Sequence, residues 1–264
     1  MHSFEYRNPQ TLAEAQALLR DTHGAKLLAG GMSLVPVMRL RLVEVPALID
    51  LNRIAALSGI TVSEGVVRIG AMTRHAAVAA SAEVKAAIPA LAMLAGGIGD
   101  PLVRNRGTIA GSLANNDPAA CYPSALLGLE STVVTQQRRI PGDDFITGMF
   151  QTALAADEII TAVEFNAPRR AAYVKFANYS SRFSIVGVFV SRYASGVRVA
   201  VTGAGAHAFR VADLEKALSG NFSAAAIAGI AIDPANLMSD LHASAEYRAH
   251  LISGLAQRAV AQCA

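Results

Sequence analysis

The feature that most constrains this chain is a run of turn formers and small polar residues at residues 104–123, RNRGTIAGSLANNDPAACYP. Gly107, Gly111, two prolines and three asparagines lie here between alanine-rich apolar segments. Because glycine lets the backbone approach a ligand closely, residues 108–112 would present consecutive backbone N–H groups, which can bind phosphate without a Walker lysine. The alternative is an ordinary surface loop that leads to a helix cap at residues 117–118.

A second stretch of the same kind lies at residues 29–36, AGGMSLVP, directly after the mainly apolar residues 25–28, AKLL. A short strand that ends in Gly-Gly-x-Ser and then proline can form a nest of backbone donors suited to an anion. Two such stretches in one chain suit a ligand with two phosphates and a long body.

Together, the two motifs resemble those of the FAD-binding medium subunit of the molybdenum hydroxylases, the family of carbon monoxide dehydrogenase and xanthine dehydrogenase. AGGxSLxP and RNRGTIxGSLANxDPAAxxP stand in the family's order and at its separation, and the resemblance extends over the whole chain. It implies that loops from two lobes bind FAD, and that this subunit carries no catalytic residue and no metal ligand of its own.

The same resemblance assigns the cofactor contacts to a few short groups of residues. Apolar contacts fall on Ile98 and Ile160, and a lysine near the flavin falls on Lys175, although a strand-edge lysine without any such role is also common. The implied FAD-binding residues are Ala29, Gly30, Gly31, Met32, Ser33, Ile98, Thr108, Ile109, Ala110, Gly111, Ser112, Cys121, Ile160 and Lys175.

Three of these residues depart from the family's pattern. Met32 stands where Thr, Gln or His is frequent, and Ala110 replaces a usual glycine. Cys121 stands where an acidic residue commonly contacts the ribityl chain or the flavin, so weaker retention of the cofactor is expected. An equal alternative is that Cys121 only packs and that water supplies the missing hydrogen bond. Arg182 matches a basic position of the family.

Composition favours a well-packed globular protein. Of the 264 residues, 53% are hydrophobic and 16% are charged, which allows a sizeable core. The net charge of +3 is mild and the arginines are scattered, which argues against nucleic-acid binding. The N-terminal residues lack the apolar region of a signal peptide, and no run of roughly 18 apolar residues exists. We therefore expect a cytoplasmic protein without membrane insertion.

The cysteines and histidines do not predict a metal site within this chain. Its two cysteines, Cys121 and Cys263, cannot supply the roughly four ligands of an iron–sulfur cluster. The six histidines show neither H-x-x-x-H nor H-E-x-x-H spacing, and we interpret them as scattered surface or packing residues. An iron–sulfur cluster or a molybdenum centre would therefore have to belong to a partner.

The order of predicted elements indicates an α+β fold with two domains. Residues 1–167 are expected to form a two-lobed FAD-binding domain, with a small α/β lobe at about 1–54 and a larger mixed lobe with an antiparallel sheet at 55–167. Residues 168–264 are expected to form a C-terminal flavoprotein domain with a three-stranded antiparallel sheet and helices. The G-x-G-x-x-A pattern at residues 203–208 lacks the acid about 20 residues later that a dinucleotide fold requires, so we expect a turn there.

These expectations favour an electron-transfer flavoprotein subunit. In the family, a large molybdopterin subunit hydroxylates a substrate, and the electrons cross a [2Fe-2S] small subunit to FAD and leave to an external acceptor. The resemblance implies both subunits as partners, in a dimer of heterotrimers. Two alternatives remain open, namely a self-sufficient FAD-dependent oxidase or reductase and a scaffold that has lost FAD.

Overall fold

The N-terminal lobe is built on a small parallel sheet. The computed structural model describes residues 1–263 of the chain. The elements of this lobe are β1 (Glu5–Arg7), α1 (Leu12–Asp21), β2 (Lys26–Leu28), α2 (Leu34–Arg39) and β3 (Ala47–Asp50). The sheet has the order β1-β3-β2, and its central strand β3 is buried along its whole length. Thr11 caps α1 by accepting a hydrogen bond from the N–H of Glu14.

The second lobe surrounds a five-stranded antiparallel sheet of order β4-β5-β10-β6-β7. Its strands, with a separate β8-β9 hairpin, are β4 (Ile60–Ser63), β5 (Val66–Gly70), β6 (Ser131–Thr135), β7 (Arg139–Pro141), β8 (Ile146–Gly148), β9 (Gln151–Thr152) and β10 (Ile160–Asn166). Its helices are α3 (His75–Ala80), α4 (Ala82–Ala87), α5 (Pro89–Gly96), α6 (Pro101–Arg106), α7 (Ile109–Asn115), α8 (Tyr122–Gly128) and α9 (Gly142–Phe145). The small α/β lobe and the larger mixed lobe are therefore both present.

The C-terminal part is an antiparallel sheet of order β11-β12-β13-β14 with a long helix packed on it. Its elements are β11 (Arg170–Ala177), β12 (Ser184–Arg192), β13 (Val197–Thr202), β14 (Phe209–Arg210), α10 (Ala212–Gly220), α11 (Ala224–Ile227) and α12 (Ala245–Gln262). Short 3₁₀ turns complete the chain at Leu51–Arg53, Ala55–Leu57 and Pro234–Asn236.

The C-terminal sheet has one more strand than the sequence predicts. The three predicted strands are present, but the two-residue strand β14 extends the sheet, and so short a segment carries no readable alternation. The glycine pattern after β13 is the expected turn, because the chain returns antiparallel to β13 rather than crossing over. Gly203 has a φ of +83°, and a Cβ there would lie 2.4 Å from the carbonyl oxygen of Ser184, so only glycine fits.

The C-terminal sheet and the second lobe share one apolar core. Tyr173 of β11 and Phe189 of β12 are buried together with residues of the five-stranded sheet and its helices. Helix α8 approaches this sheet so closely that a Cβ on Gly128 would lie 2.8 Å from the Phe189 ring. This shared core fixes the position of the segment between β11 and β12 relative to the second lobe. Within residues 1–263, no helix combines the length and the apolar character that a membrane crossing requires.

A buried carboxylate anchors the chain just before β10. Glu158 accepts hydrogen bonds from the Thr135 hydroxyl at 2.7 Å, from the backbone N–H of Ala155 at 2.9 Å, and from Arg138 Nε and Nη2 at 2.9 Å each. The Arg138 guanidinium and the other donors outweigh the cost of burial and lower the pKa of Glu158 to about 2. The carboxylate is therefore ionised in the folded protein well below the pH at which an exposed glutamate takes up a proton.

We expect Glu158→Gln to flatten the acid part of the stability profile. Because the folded pKa of Glu158 is depressed, its stabilisation is present above the unfolded pKa and is lost as the pH falls from about 4.5 towards 2. The expected loss in wild type is about 3 kcal/mol of unfolding free energy over that window. Denaturant unfolding from pH 6 to pH 2.5 measures it, with the exposed Glu44→Gln as the matched control. An equal acid dependence in wild type and Glu158→Gln would contradict the assignment.

Candidate functional site: a cavity between the lobes

A large cavity lies where the two N-terminal lobes and the C-terminal sheet meet. Its volume is about 580 Å³, inside the range of roughly 300–1,000 Å³ that is usual for ligand sites. The first lobe contributes residues 25–34, the second lobe contributes residues 107–108, 110–112 and 119–121, and the C-terminal part contributes residues 181–183. Two stretches singled out in the sequence, far apart along the chain, thus line one cavity.

The loop between β2 and α2 keeps its backbone donors free. In the described part of the chain, no N–H group from Gly30 to Leu34 donates a hydrogen bond to another protein group. Gly31 has a φ of +74°, the left-handed conformation that turns successive N–H groups towards one side. Five consecutive unengaged donors beside a cavity are the arrangement that an anion-binding nest requires, and the sequence places such a nest at residues 29–33. We call residues 30–34 the donor loop.

The second motif behaves differently: in the described part of the chain the N–H of Thr108 has no protein acceptor, but the expectation of free N–H groups is wrong for residues 109–112. This segment is the first turn of α7, with Thr108 as its N-cap. The donors of residues 109–112 are already used, because tertiary contacts and the cap residue accept them. Ile109 donates to the Thr73 carbonyl and Ala110 to the Ala71 carbonyl, each at 3.2 Å, while Gly111 donates to Thr108 Oγ1 at 3.2 Å and Ser112 to the Thr108 carbonyl at 3.0 Å. The second motif therefore contributes a wall of the cavity rather than a second nest.

The two motifs are in direct backbone contact. A Cβ on Gly30 would lie 2.3 Å from the carbonyl oxygen of Arg106 and 2.7 Å from the Cα of Gly107. Asn52 adds a polar link, since its Nδ2 donates to the Ala29 carbonyl at 3.0 Å. Arg74 in turn donates to Asn52 Oδ1 and to the Arg106 carbonyl. This network joins the donor loop to the second lobe.

Most of the sequence-predicted site residues do line the cavity. The twelve are Ala29, Gly30, Gly31, Met32, Ser33, Ile98, Thr108, Ala110, Gly111, Ser112, Cys121 and Ile160. The structure does not bring Ile109 into the cavity, because its side chain points into the core of the second lobe. Lys175 is not a lining residue either, although its ammonium group lies beside one.

The ammonium group of Lys175 is engaged by protein groups and joins two parts of the chain; we call these contacts the Lys175 clamp. Its Nζ donates to the Gly97 carbonyl at 2.7 Å and to the Arg182 carbonyl at 2.8 Å, and it lies 3.5 Å from Cys121 Sγ. These contacts engage the three hydrogens of the ammonium group and tie residues 178–183 to the end of α5. Cys121 is buried and also lies 3.6 Å from Ser184 Oγ, so its thiol packs within this junction.

Several lining residues were not predicted from the sequence. Asp117 and Ala119 belong to the second motif, and Phe183 adjoins Arg182 at the mouth of the cavity. His75 was counted among the scattered histidines, yet it begins α3 directly behind the cavity. No local signal in the sequence marks His75, because its place beside the second motif, whose Gly107 carbonyl accepts the backbone N–H of His75, is a tertiary contact.

The His75 side chain is buried, and its surroundings keep it neutral. Burial, followed by the nearby charges of Arg74 and Arg104, lowers the pKa of His75 to about 4. Arg104 itself is fixed, because its Nη1 donates to the carbonyls of Ile98 at 3.0 Å and Gly99 at 2.9 Å. The imidazole is therefore uncharged at neutral pH.

Comparison with known proteins identifies the fold and the cavity together. The family model "FAD binding domain in molybdopterin dehydrogenase" matches residues 2–168, and "CO dehydrogenase flavoprotein C-terminal domain" matches residues 167–263. The chain belongs to the FAD-binding medium subunits of the molybdenum hydroxylases. This medium subunit is an oxidoreductase subunit and FAD is its cofactor, as the sequence predicts.

Individual relatives agree with the family match over nearly the whole medium subunit. This chain is 36% identical over 277 residues to the nicotine 6-hydroxylase medium subunit of Paenarthrobacter nicotinovorans, and the match covers 98% of this chain and 97% of the relative. It is 36% identical over 287 residues to the carbon monoxide dehydrogenase medium chain of Hydrogenophaga pseudoflava, covering 99% and 98%.

Solved structures are similar over the same length. Carbon monoxide dehydrogenase from Hydrogenophaga pseudoflava gives a TM-score of 0.90 at 34% identity, covering 100% of this chain and 99% of that one. Quinoline 2-oxidoreductase from Pseudomonas putida 86 gives a TM-score of 0.90 at 27% identity, covering 99% and 97%. The predicted α+β fold class is confirmed.

The cavity of this medium subunit fits FAD on its own geometry. The donor loop offers unengaged N–H groups for a pyrophosphate, which needs several hydrogen-bond donors once it leaves water. The apolar side chains of Ile98 and Ile160 line the same cavity and can contact the rings. At Gly30 the donor loop lies so close to the second lobe that no side chain fits between them. A larger residue at this position would push the donor loop away from the second lobe.

We expect Gly30→Ala to weaken FAD binding by more than about tenfold, the equivalent of roughly 1.4 kcal/mol. The added methyl group would collide with the Arg106 carbonyl and move the donor loop away from the second lobe. Fluorescence titration of FAD into the apo-subunit measures the dissociation constant. Gly254→Ala is the matched control, because a Cβ at this position of α12 meets no atom within 4 Å. Equal affinities for the two variants would contradict the packing argument.

We also expect Lys175→Met to accelerate FAD release by at least about tenfold, since it removes two hydrogen bonds of a charged donor, each worth about 1.5 kcal/mol or more, between residues 178–183 and the second lobe. The FAD dissociation rate, followed by fluorescence after dilution, is the measurement. Lys85→Met, an exposed lysine of α4, controls for the loss of charge. A dissociation rate in Lys175→Met that equals wild type would show that the clamp does not hold the cavity closed.

Proposed function

We propose that this medium subunit carries electrons within a molybdenum hydroxylase complex. Its FAD receives them from a [2Fe-2S] small subunit, which is reduced by a molybdopterin large subunit, and an external acceptor takes them away. The complex is a dimer of heterotrimers located in the cytoplasm. The proposal divides the chain at residues 167 and 168, with an FAD-binding domain before the boundary and a C-terminal flavoprotein domain after it.

The observation that carries this proposal is the donor loop beside a cavity shared by three parts of the fold. Bound FAD supplies one- and two-electron redox chemistry. The chain's own residues bind and orient: the N–H groups of Gly30 to Leu34 hold the pyrophosphate, and Ile98 and Ile160 exclude water from the rings. Lys175 keeps residues 178–183 against the cavity.

Support for partner subunits comes from the cysteine count and from the relatives. Two buried cysteines are fewer than the roughly four ligands that an iron–sulfur cluster needs. The relatives share this subunit type, whereas their names refer to different substrates such as nicotine, carbon monoxide and caffeine. We infer that the substrate binds on another subunit, so the medium subunit does not select it.

A self-sufficient FAD-dependent oxidase or reductase is less well supported, because the carboxylates that line the cavity already accept protein hydrogen bonds and its histidine is buried. Glu158 has both oxygens engaged by Arg138, Thr135 and Ala155. Asp117 accepts the N–H of Ala119 at 2.8 Å through Oδ1, and His75 is buried and neutral. A substrate oxidase needs a group that takes up a proton beside the reacting carbon. A scaffold without FAD would have no use for an unengaged donor loop.

The electron route predicts a clear difference between the lone subunit and the complex. The FAD-loaded medium subunit alone should stay oxidised when the organic substrate of its complex is added anaerobically. The same FAD within the reassembled complex should be reduced within seconds, seen as loss of the visible absorption of the oxidised flavin. Dithionite reduction of the lone subunit is the control for a competent flavin. Substrate-driven bleaching of the lone subunit would favour the oxidase alternative.

A further inference from the structure

Among the described residues that line the FAD cavity, His75 has a buried side-chain nitrogen without a hydrogen-bond partner, which is unusual for a residue that only packs. The residue is 4% exposed, it lines the cavity, and within residues 1–263 its buried Nδ1 has no protein hydrogen-bond partner. Buried imidazoles normally have at least one nitrogen bonded, because an unsatisfied buried polar group costs about 1–3 kcal/mol. Nε2 is also unbonded but is not sealed in the same way, so it is the ring nitrogen that can take a partner from a ligand in the cavity.

The two nitrogens of His75 differ in access. Nδ1 is sealed from solvent, and the Tyr122 ring packs beside the imidazole with the two ring centroids 5.3 Å apart. Nε2 lies beside Gly107, since a Cβ added to Gly107 would come within 2.5 Å of it. Gly107 lines the cavity and contacts Gly30, so Nε2 lies at the junction between the second motif and the donor loop.

The proton of the neutral ring is assigned to Nε2. A buried N–H without an acceptor is rarer and costlier than a buried lone pair without a donor, so Nδ1 carries the lone pair. Nε2–H is then a donor at the junction where the donor loop presents its own N–H groups. The charged groups around the ring are Arg74, which is bound to Asn52 and the Arg106 carbonyl, and Arg104, which is bound to the Ile98 and Gly99 carbonyls.

We infer that His75 is a further FAD-binding residue, and that its Nε2–H donates a hydrogen bond to an oxygen of the cofactor's pyrophosphate. This inference rests on the proposed FAD site. The neutral ring adds a donor to the five N–H groups of the donor loop without adding another cation beside Arg74 and Arg104. It also gives Gly107 a second reason to be glycine, because any side chain there would cover Nε2.

The test compares two variants at neighbouring side chains, each of which removes a buried polar atom that has no protein partner. His75→Leu removes the cavity-lining imidazole. Tyr122→Phe removes the neighbouring Tyr122 hydroxyl, which is also buried without a partner but does not line the cavity. Because neither group has a protein partner, both apo-subunits should keep the melting temperature of wild type or exceed it.

Only His75→Leu should weaken FAD binding, by about 10- to 150-fold, as expected for a hydrogen bond to a charged group. Tyr122→Phe should bind FAD like wild type, and His75→Gln, which keeps a neutral N–H donor, should bind more tightly than His75→Leu. If His75→Leu does not fold, His75→Phe replaces it with a ring of similar shape. ADP, displaced from the apo-subunit by FAD, should lose affinity in the same variant, because it carries the pyrophosphate without the flavin.

Unchanged FAD affinity in His75→Leu would overturn the inference, and so would a loss for FAD with no loss for ADP. A parallel fall in melting temperature and FAD affinity in both His75→Leu and Tyr122→Phe would assign His75 to packing. If the wild-type apo-subunit binds no FAD, the proposed FAD site itself is contradicted. If the wild type binds FAD but no more tightly than His75→Leu, only the role of His75 is contradicted.

Discussion

The site depends on one close backbone contact, the approach of Gly30 to the Arg106–Gly107 peptide. A Cβ at Gly30 would lie 2.3 Å from the Arg106 carbonyl oxygen, a distance that no side chain permits. The contact joins two lobes whose sheets share no strand, and the Asn52–Arg74 network lies on its flank. Because of it, a loop of the parallel sheet and a helix of the antiparallel lobe become walls of one cavity.

The two glycine motifs then take different roles within that cavity. The donor loop has five N–H groups without a protein acceptor. In contrast, the first N–H groups of α7 donate to the Thr73 and Ala71 carbonyls and to the cap residue Thr108. One side of the cavity is therefore a helix whose first N–H groups are engaged, and the other side is the donor loop with unengaged N–H groups. This arrangement favours a ligand whose hydrogen-bond acceptors face the donor loop. The C-terminal sheet completes the enclosure through Lys175, whose three contacts hold residues 178–183 near the mouth.

The sequence predicts those parts of this arrangement that depend on local chemistry. The strand at Lys26–Leu28, the glycines after it and the meander of the C-terminal part follow from alternation, turn residues and chain order. Tertiary partners decide the rest. Nothing local to residues 109–112 reveals that Thr73 and Ala71 accept their donors, and nothing near Lys175 reveals the Gly97 and Arg182 carbonyls. His75 was not predicted as a site residue for the same reason, since its lack of a hydrogen-bond partner is a property of the folded protein alone.

Amide hydrogen exchange with and without FAD tests the central claim most directly, because it reports on each set of backbone donors separately. In the apo-subunit the amides of residues 30–34 should exchange fast and those of residues 109–112 slowly. Adding FAD should protect residues 30–34 strongly and change residues 109–112 little. Protection that appears at residues 109–112 while residues 30–34 stay unprotected would contradict the claim that the donor loop holds the cofactor.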